Sequence, residues 1–173
     1  MASTSSSTSR RAPRATSRAA GPDATTLLRA DHKKVTALFE QYETLRSAAR
    51  KKELVAKICQ ELEIHSQLEE EIFYPAVKQA LKDKELVPEA LVEHDSLKAL
   101  IAQVKDVEPD GEMFDAKVKV MSEYVKHHVK EEQNEMFPKA RAGRLDLNEL
   151  GARIAQRKEE LMTGQQQSVE EAV

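Results

Sequence analysis

Four stretches of this chain place apolar side chains at alternating steps of three and four residues, and each carries one histidine on its apolar stripe. That spacing marks an amphipathic helix, whose buried face returns every ~3.6 residues. Leu27, Leu28, Val35, Leu38, Phe39, Tyr42 and Leu45 predict a first helix from Asp23 to about Ser47. Leu54, Ile58, Leu62, His65, Ile72, Phe73 and Ala76 predict a second over roughly 50–82, which Pro75 kinks near its end without abolishing it. Pro88 suits the first turn of a third helix, where its missing N–H is not needed, and Leu91, His94, Leu97, Ile101 and Val104 continue its face until Glu-Pro-Asp-Gly at 108–111. A fourth runs from about Glu112 to Ala140, with Phe114, Val118, Met121, Val125, His128, Met136 and Phe137 inward and Gly143 at its exit. A short fifth helix follows over about 146–162.

Helices of such length with short connections pack most simply as an all-α, up-down-up-down four-helix bundle, here with a short extra C-terminal helix. The scarcity of Gly, Pro and aromatic residues agrees with that class. Residues 1–22, rich in Ser, Thr and Arg, cannot offset the entropy of ordering and read as a disordered tail. The bundle is expected over 23–163 and a flexible C-terminus over 164–173. The tail holds four arginines and no acid, so a chain of net charge −3 leaves −7 on the rest, which argues against nucleic acid binding by the folded part. One cysteine excludes an internal disulfide, no stretch is apolar enough for a membrane helix, and a soluble cytoplasmic protein is expected.

The chain repeats itself: His32 to His94 is 62 positions, while His65 to His128, Glu69 to Glu132 and Pro75 to Pro138 are each 63. A histidine four residues before a glutamate projects both side chains from one helical face. One such pair is ordinary on a glutamate-rich helix. Two of them at matched offsets, with two further inward histidines, put six polar groups on apolar stripes, where they would be costly unless a shared ligand satisfied them. Four imidazoles and two carboxylates suit iron, manganese or zinc, and a carboxylate with two oxygens favours a dinuclear centre. Tyr124, one turn before His128, is the candidate for a hydroxyl orienting a ligand, while Cys59 reads as packing and His127 as a solvated partner of Glu131. Glu70, Glu71, Glu131 and Glu135 read as a solvated charged face.

Asp31-His32, His65-Ser-Gln-Leu-Glu69-Glu-Glu-Ile-Phe-Tyr-Pro75, Glu93-His94-Asp95 and His128-Val-Lys-Glu-Glu132 through Phe137-Pro138 together resemble the hemerythrin HHE cation-binding family over about residues 25–140. The resemblance implies His32, His65, His94 and His128 as ligands and Glu69 and Glu132 as bridges of a non-haem di-iron centre, open to an oxo or hydroxo bridge. It implies O2, peroxide or NO as the small-molecule partner, with a monomer or weak homodimer expected. Oxygen-carrying hemerythrins place a further histidine four residues after the third-helix histidine, and Lys98 stands there in this chain. Fewer imidazoles leave open positions on the metals, so binding or sensing of a small molecule stands beside peroxide decomposition, NO reduction and iron storage, donation or repair. A metal-free or zinc-filled structural bundle is the reading from a different class.

Overall fold

The computed structural model describes residues 21–170 except 83, 106 and 110, and the side chains of 165–170 are not described; the expected tail thus falls almost wholly outside the described residues. Among the described residues, five helices make up the fold. α1 spans Ala24–Thr44 and is capped by Asp23, whose carboxylate accepts the Thr26 N–H at 2.8 Å. α2 comprises Ala48–Leu68, a widened turn Glu69–Phe73 and Tyr74–Leu81, and ends at Lys82 in the left-handed conformation with φ 51°. α3 is Leu86–Val104 and carries Pro88 in its first turn, as its position predicts. α4 comprises Glu112–Glu131, a second widened turn Glu132–Met136 and Phe137–Ala142. α5 is Leu147–Glu170, longer than the expected 146–162, because the polar run after Gly164 contains no proline to stop it.

The prolines do not simply kink their helices. Each lacks an N–H and would press its ring on the carbonyl four residues back. The backbone avoids the conflict by widening the preceding turn, which Tyr74 N–H closes on Glu69 O and Phe137 N–H on Glu132 O, five residues apart. One extra residue in the turn advances the buried face, so Tyr74 and Val77 are buried where the simple period put Ala76.

α1 packs on α2 and α3 on α4, α1 meets α4 and α2 meets α3, and α5 lies over α1 and α2. Two apolar clusters fill the bundle. One, around Phe39, Ile58, Ile101 and Val118, occupies the end at the α1–α2 and α3–α4 connections. The other, around Leu28, Phe73, Tyr74, Phe137 and Ile154, includes α5. A Cβ at Gly151 would meet backbone atoms of Pro22 and Asp23 and the Ala24 nitrogen, the last at 2.9 Å, so glycine there lets α5 close on the start of α1. Cys59 is buried in the first cluster. Between the clusters, each bundle helix contributes one buried histidine.

Candidate metal centre

The six polar residues singled out by the repeat converge here. His32, His65, His94, His128, Glu69 and Glu132 are all buried, Glu69 completely. Glu69 divides its oxygens between two groups of imidazoles: Oε1 lies 3.1 Å from His65 Nε2, and Oε2 lies 3.3 Å from His94 Nε2 and 3.9 Å from His128 Nε2. Glu132 Oε2 lies 3.2 Å from His32 Nε2 and 3.6 Å from His128 Nε2. The imidazoles pair at 3.0 Å for His32 and His65 and 3.3 Å for His94 and His128. Two donor groups result, each within 4.8 Å: His32, His65, Glu69 and Glu132, and then Glu69, His94 and His128.

The donor set fits metal ions on a further observation. Glu69 Oε1, Glu132 Oε2 and His65 Nδ1 are buried without a hydrogen-bond partner. Buried orphan carboxylate oxygens are costly, and a cation between them and the facing nitrogens removes the cost. Mixed nitrogen and oxygen donors suit iron, manganese and zinc.

Behind the imidazoles stands a second ring. Glu70 Oε1 accepts from His94 Nδ1 at 2.8 Å and Glu93 Oε2 from His128 Nδ1 at 2.7 Å. Asp31 Oδ2 lies 3.7 Å from His65 Nδ1 and is bound by Lys158 of α5. Gln133 donates its amide to His32 Nδ1 at 3.1 Å, and Arg29 fixes that amide by donating to its oxygen at 2.9 Å. Such partners orient a ligating histidine and set its electron density. Glu70 is therefore not merely solvated face. It bridges His94 and Lys98, whose Nζ donates to it at 2.7 Å, so the lysine standing in place of an imidazole reaches the centre through a carboxylate.

Burial works against charge on His65, but Glu69, with Asp31 and Glu132, lifts its pKa to about 10. Burial opposes charge on His128 as well, and the Glu69 carboxylate beside it, with the hydrogen bond to Glu93, raises it to about 10. Burial, with the charge of His65, holds His32 below its ordinary value although Glu132 opposes this. Burial favours a neutral Glu69, yet the imidazoles around it hold its carboxyl well below the usual range.

Tyr124 is 46% exposed and is not among the residues gathered here. The inward stripe of α4 runs through Met121, Val125 and His128, leaving Tyr124 on the outer edge of the helix. The phenol at the centre is Tyr74. Its hydroxyl donates to Glu132 Oε1 at 2.9 Å and lies 3.2 Å from Glu69 Oε2, 3.3 Å from His94 Nε2 and 3.4 Å from His128 Nε2. Burial, reinforced by both carboxylates, pushes its pKa well above 10. Five residues after Glu69, it would lie about 140° away on a regular helix. The signal for it was the proline that follows, which forces the wide turn. Asp31, Glu93, Glu70 and Gln133 had a plainer signal: each adjoins a ligand candidate, and the two pairs repeat at 62 and 63 positions.

On the side of the imidazoles toward Val35, Leu62, Leu97 and Val125 lies a cavity of about 10 Å³. It is large enough for a molecule of water size and too small for an organic substrate.

Residues 23–140 match the hemerythrin HHE cation binding domain family, and the chain belongs to that family. A solved hemerythrin HHE cation binding domain-containing protein of Mycobacterium kansasii superposes with a TM-score of 0.72 at 21% identity, covering 83% of this chain and 90% of that one; it shares the fold. A protein named DNA nickase, of Nostoc sp. (strain PCC 7120 / SAG 25.82 / UTEX 2576), is 28% identical over 111 residues. Those residues are 64% of this chain and 31% of the relative, so the matched region spans about a third of the longer protein.

Proposed function

We propose that the chain holds two iron ions, one in each donor group, and that the pair meets O2, peroxide or NO from the side of the small apolar cavity. Glu69 carries the reading: one fully buried carboxylate belongs to both groups and faces imidazoles with each oxygen. His32 and His65 would hold one ion and His94 and His128 the other, with Glu69 and Glu132 supplying the carboxylates. Val35, Leu62, Leu97 and Val125 keep bulk water from that side, while the outer carboxylates fix the imidazoles. Two bound irons supply electron exchange with a small molecule. The net −7 outside residues 1–22 speaks against DNA as a partner of the bundle, whatever the Nostoc relative's name implies for that protein.

Elemental analysis and absorption spectroscopy of protein from iron-supplemented cells test this. About two irons per chain are expected, with loss in both Glu69→Ala and Glu132→Ala. Iron content indifferent to both changes overturns the shared site.

A second reading, turnover of peroxide or NO, is favoured by Tyr74, whose hydroxyl holds a proton at the centre. In Tyr74→Phe, iron content should stay at the wild-type level while peroxide consumption falls by about tenfold or more. Unchanged consumption leaves binding or sensing as the function.

A further inference from the structure

Outside the buried centre, a second group of metal-type ligands stands on the surface at the α3–α4 seam. His127 Nε2 lies 3.4 Å from Glu93 Oε1 and 3.2 Å from Glu131 Oε1, and donor atoms of the three fall within 4.8 Å of one another. His127 is 63% exposed, so the group is open to solvent. Three such residues on a surface mean little alone. Two further observations tie them to a cation.

Beside the group, a crevice between α3 and α4 is lined by Glu89, Glu93, Glu131, Glu132 and His128, with three apolar residues and no lysine or arginine among the described residues that line it. Its carboxylates descend in exposure: Glu89 is exposed, Glu93 and Glu131 are half-buried, and Glu132 at the floor is 2% exposed. Glu132 Oε2 faces His32 Nε2 at 3.2 Å, so the carboxylate at the end of the crevice also belongs to the buried centre. Glu93 joins outside to inside, with Oε1 toward His127 and Oε2 on Nδ1 of the buried His128. The volume, about 10 Å³, is about that of one water-sized sphere, enough for a bare ion.

The opposite side of the bundle sharpens the point. The positions that the repeat pairs with Glu89, Glu93, His127 and Glu131 are Leu27, Asp31, Ile64 and Leu68. Ile64 and Leu68 are buried in one cluster with Leu150 and Ile154 of α5, Leu27 packs against it, and Lys158 binds Asp31. Of these four positions only Asp31 carries a carboxylate, the lysine beside it repels cations, and α5 covers the aliphatic residues. The chain thus keeps metal-type ligands on the open side and replaces all but one with aliphatics on the closed side.

From this we infer that Glu93, His127 and Glu131 form a loading site for a divalent cation, iron(II) in the cell, which passes along the α3–α4 crevice to Glu132 and the buried centre. Stripping all waters from a dication at once is prohibitive, whereas carboxylates of rising burial replace them stepwise. The inference rests on the buried centre's being the destination, and its test separates the two.

The probe is cobalt(II), mixed anaerobically with metal-free full-length protein while its ligand-field absorption is followed. His127→Ala combined with Glu131→Gln is compared with Glu135→Gln, which removes an exposed carboxylate of the same helix. The double variant should load about tenfold more slowly and reach the same final stoichiometry, while the control stays near the wild-type rate. Loading as fast as the control overturns the inference. Titration at equilibrium gives an independent arm: Glu69→Ala and Glu132→Ala combined with His65→Ala and His94→Ala, which leaves one imidazole of each buried pair, should still bind one cobalt weakly and lose it when His127→Ala is added. Weak binding unaffected by His127→Ala also overturns it. Failure of the buried centre itself shows separately, as wild-type protein that never takes up two ions.

Discussion

The α1–α2 half and the α3–α4 half bring the same candidate ligands to the centre, two histidines and a glutamate each, and differ in what stands behind them. Around His94 and His128 the outer groups are Glu70 and Glu93, and only Glu70 is matched by a lysine, Lys98. Around His32 and His65 they are Gln133 and Asp31, backed by Arg29 and Lys158. The first pair therefore sits before two carboxylates and one fixed cation, the second before one carboxylate and two fixed cations. Even the aromatic residues differ: Tyr74 places a hydroxyl against His94, while its repeat partner Phe137 stacks on His32 with rings 5.9 Å apart and nearly parallel. A duplicated ligand set does not make two equal halves. α5 covers one and leaves the other open, and the outer charges follow that division.

The cover itself gives the largest expected effect. Ile154 is fully buried where α5 meets the first half, whereas Val92 on α3 is 66% exposed on the uncovered side. Ile154→Ala should cost about 2–5 kcal/mol, the loss of a packed aliphatic plus the space it leaves. Val92→Ala should stay within about 0.5 kcal/mol. Chemical denaturation of metal-free protein measures both, and equal small losses would mean that α5 is not part of the folded core.

Next in size is pH, where the halves should behave alike. His65 and His128, one in each half, are lifted from 6.5 to about 10 in the metal-free fold. Their contribution to metal-free stability is complete below pH 6.5 and fades as pH rises through about 10. Metal displaces both protons, so affinity should climb over the same window by up to about a hundredfold per pH unit. Calorimetry in buffers of different ionisation enthalpy counts the protons. Release of none at neutral pH would show that the ligands are already neutral.

Most of this is legible in the sequence. The apolar period marked the four bundle helices to within a few residues, because burial of one face is what the spacing encodes. The same period placed His32, His65, His94, His128, Glu69 and Glu132 on inward faces, and they meet. It failed where the helix stops being regular. Past Glu69 the wide turn carries Tyr74 inward, and a reading tied to ~3.6 residues per turn chose Tyr124 instead. Glu70 was misread for another reason: charge runs on helices usually face solvent, and nothing local says that His94, 24 residues on, will come to lie against one of them. The closed and open sides were invisible too, since they depend on where α5 packs.

The smallest effect separates the halves by a single pair of residues. Glu70 and Gln133 occupy matching places, each one residue after a bridging candidate and each against Nδ1 of a histidine. An ionised acceptor of the Nδ1 proton leaves its imidazole richer in electrons and a better ligand, whereas the Gln133 amide beside His32 Nδ1 offers no ionised acceptor. Glu70→Gln should weaken binding of the ion between His94 and His128 by about tenfold, the lower end of the effect of losing such a partner. Gln133→Glu should strengthen the other ion by less, because Arg29 will claim part of the new charge. Two-step titration with cobalt(II) resolves the ions, and the two changes combined should reverse their order of filling. If the order holds in the combined variant, the ligands themselves rank the two positions and the outer ring serves only to orient them.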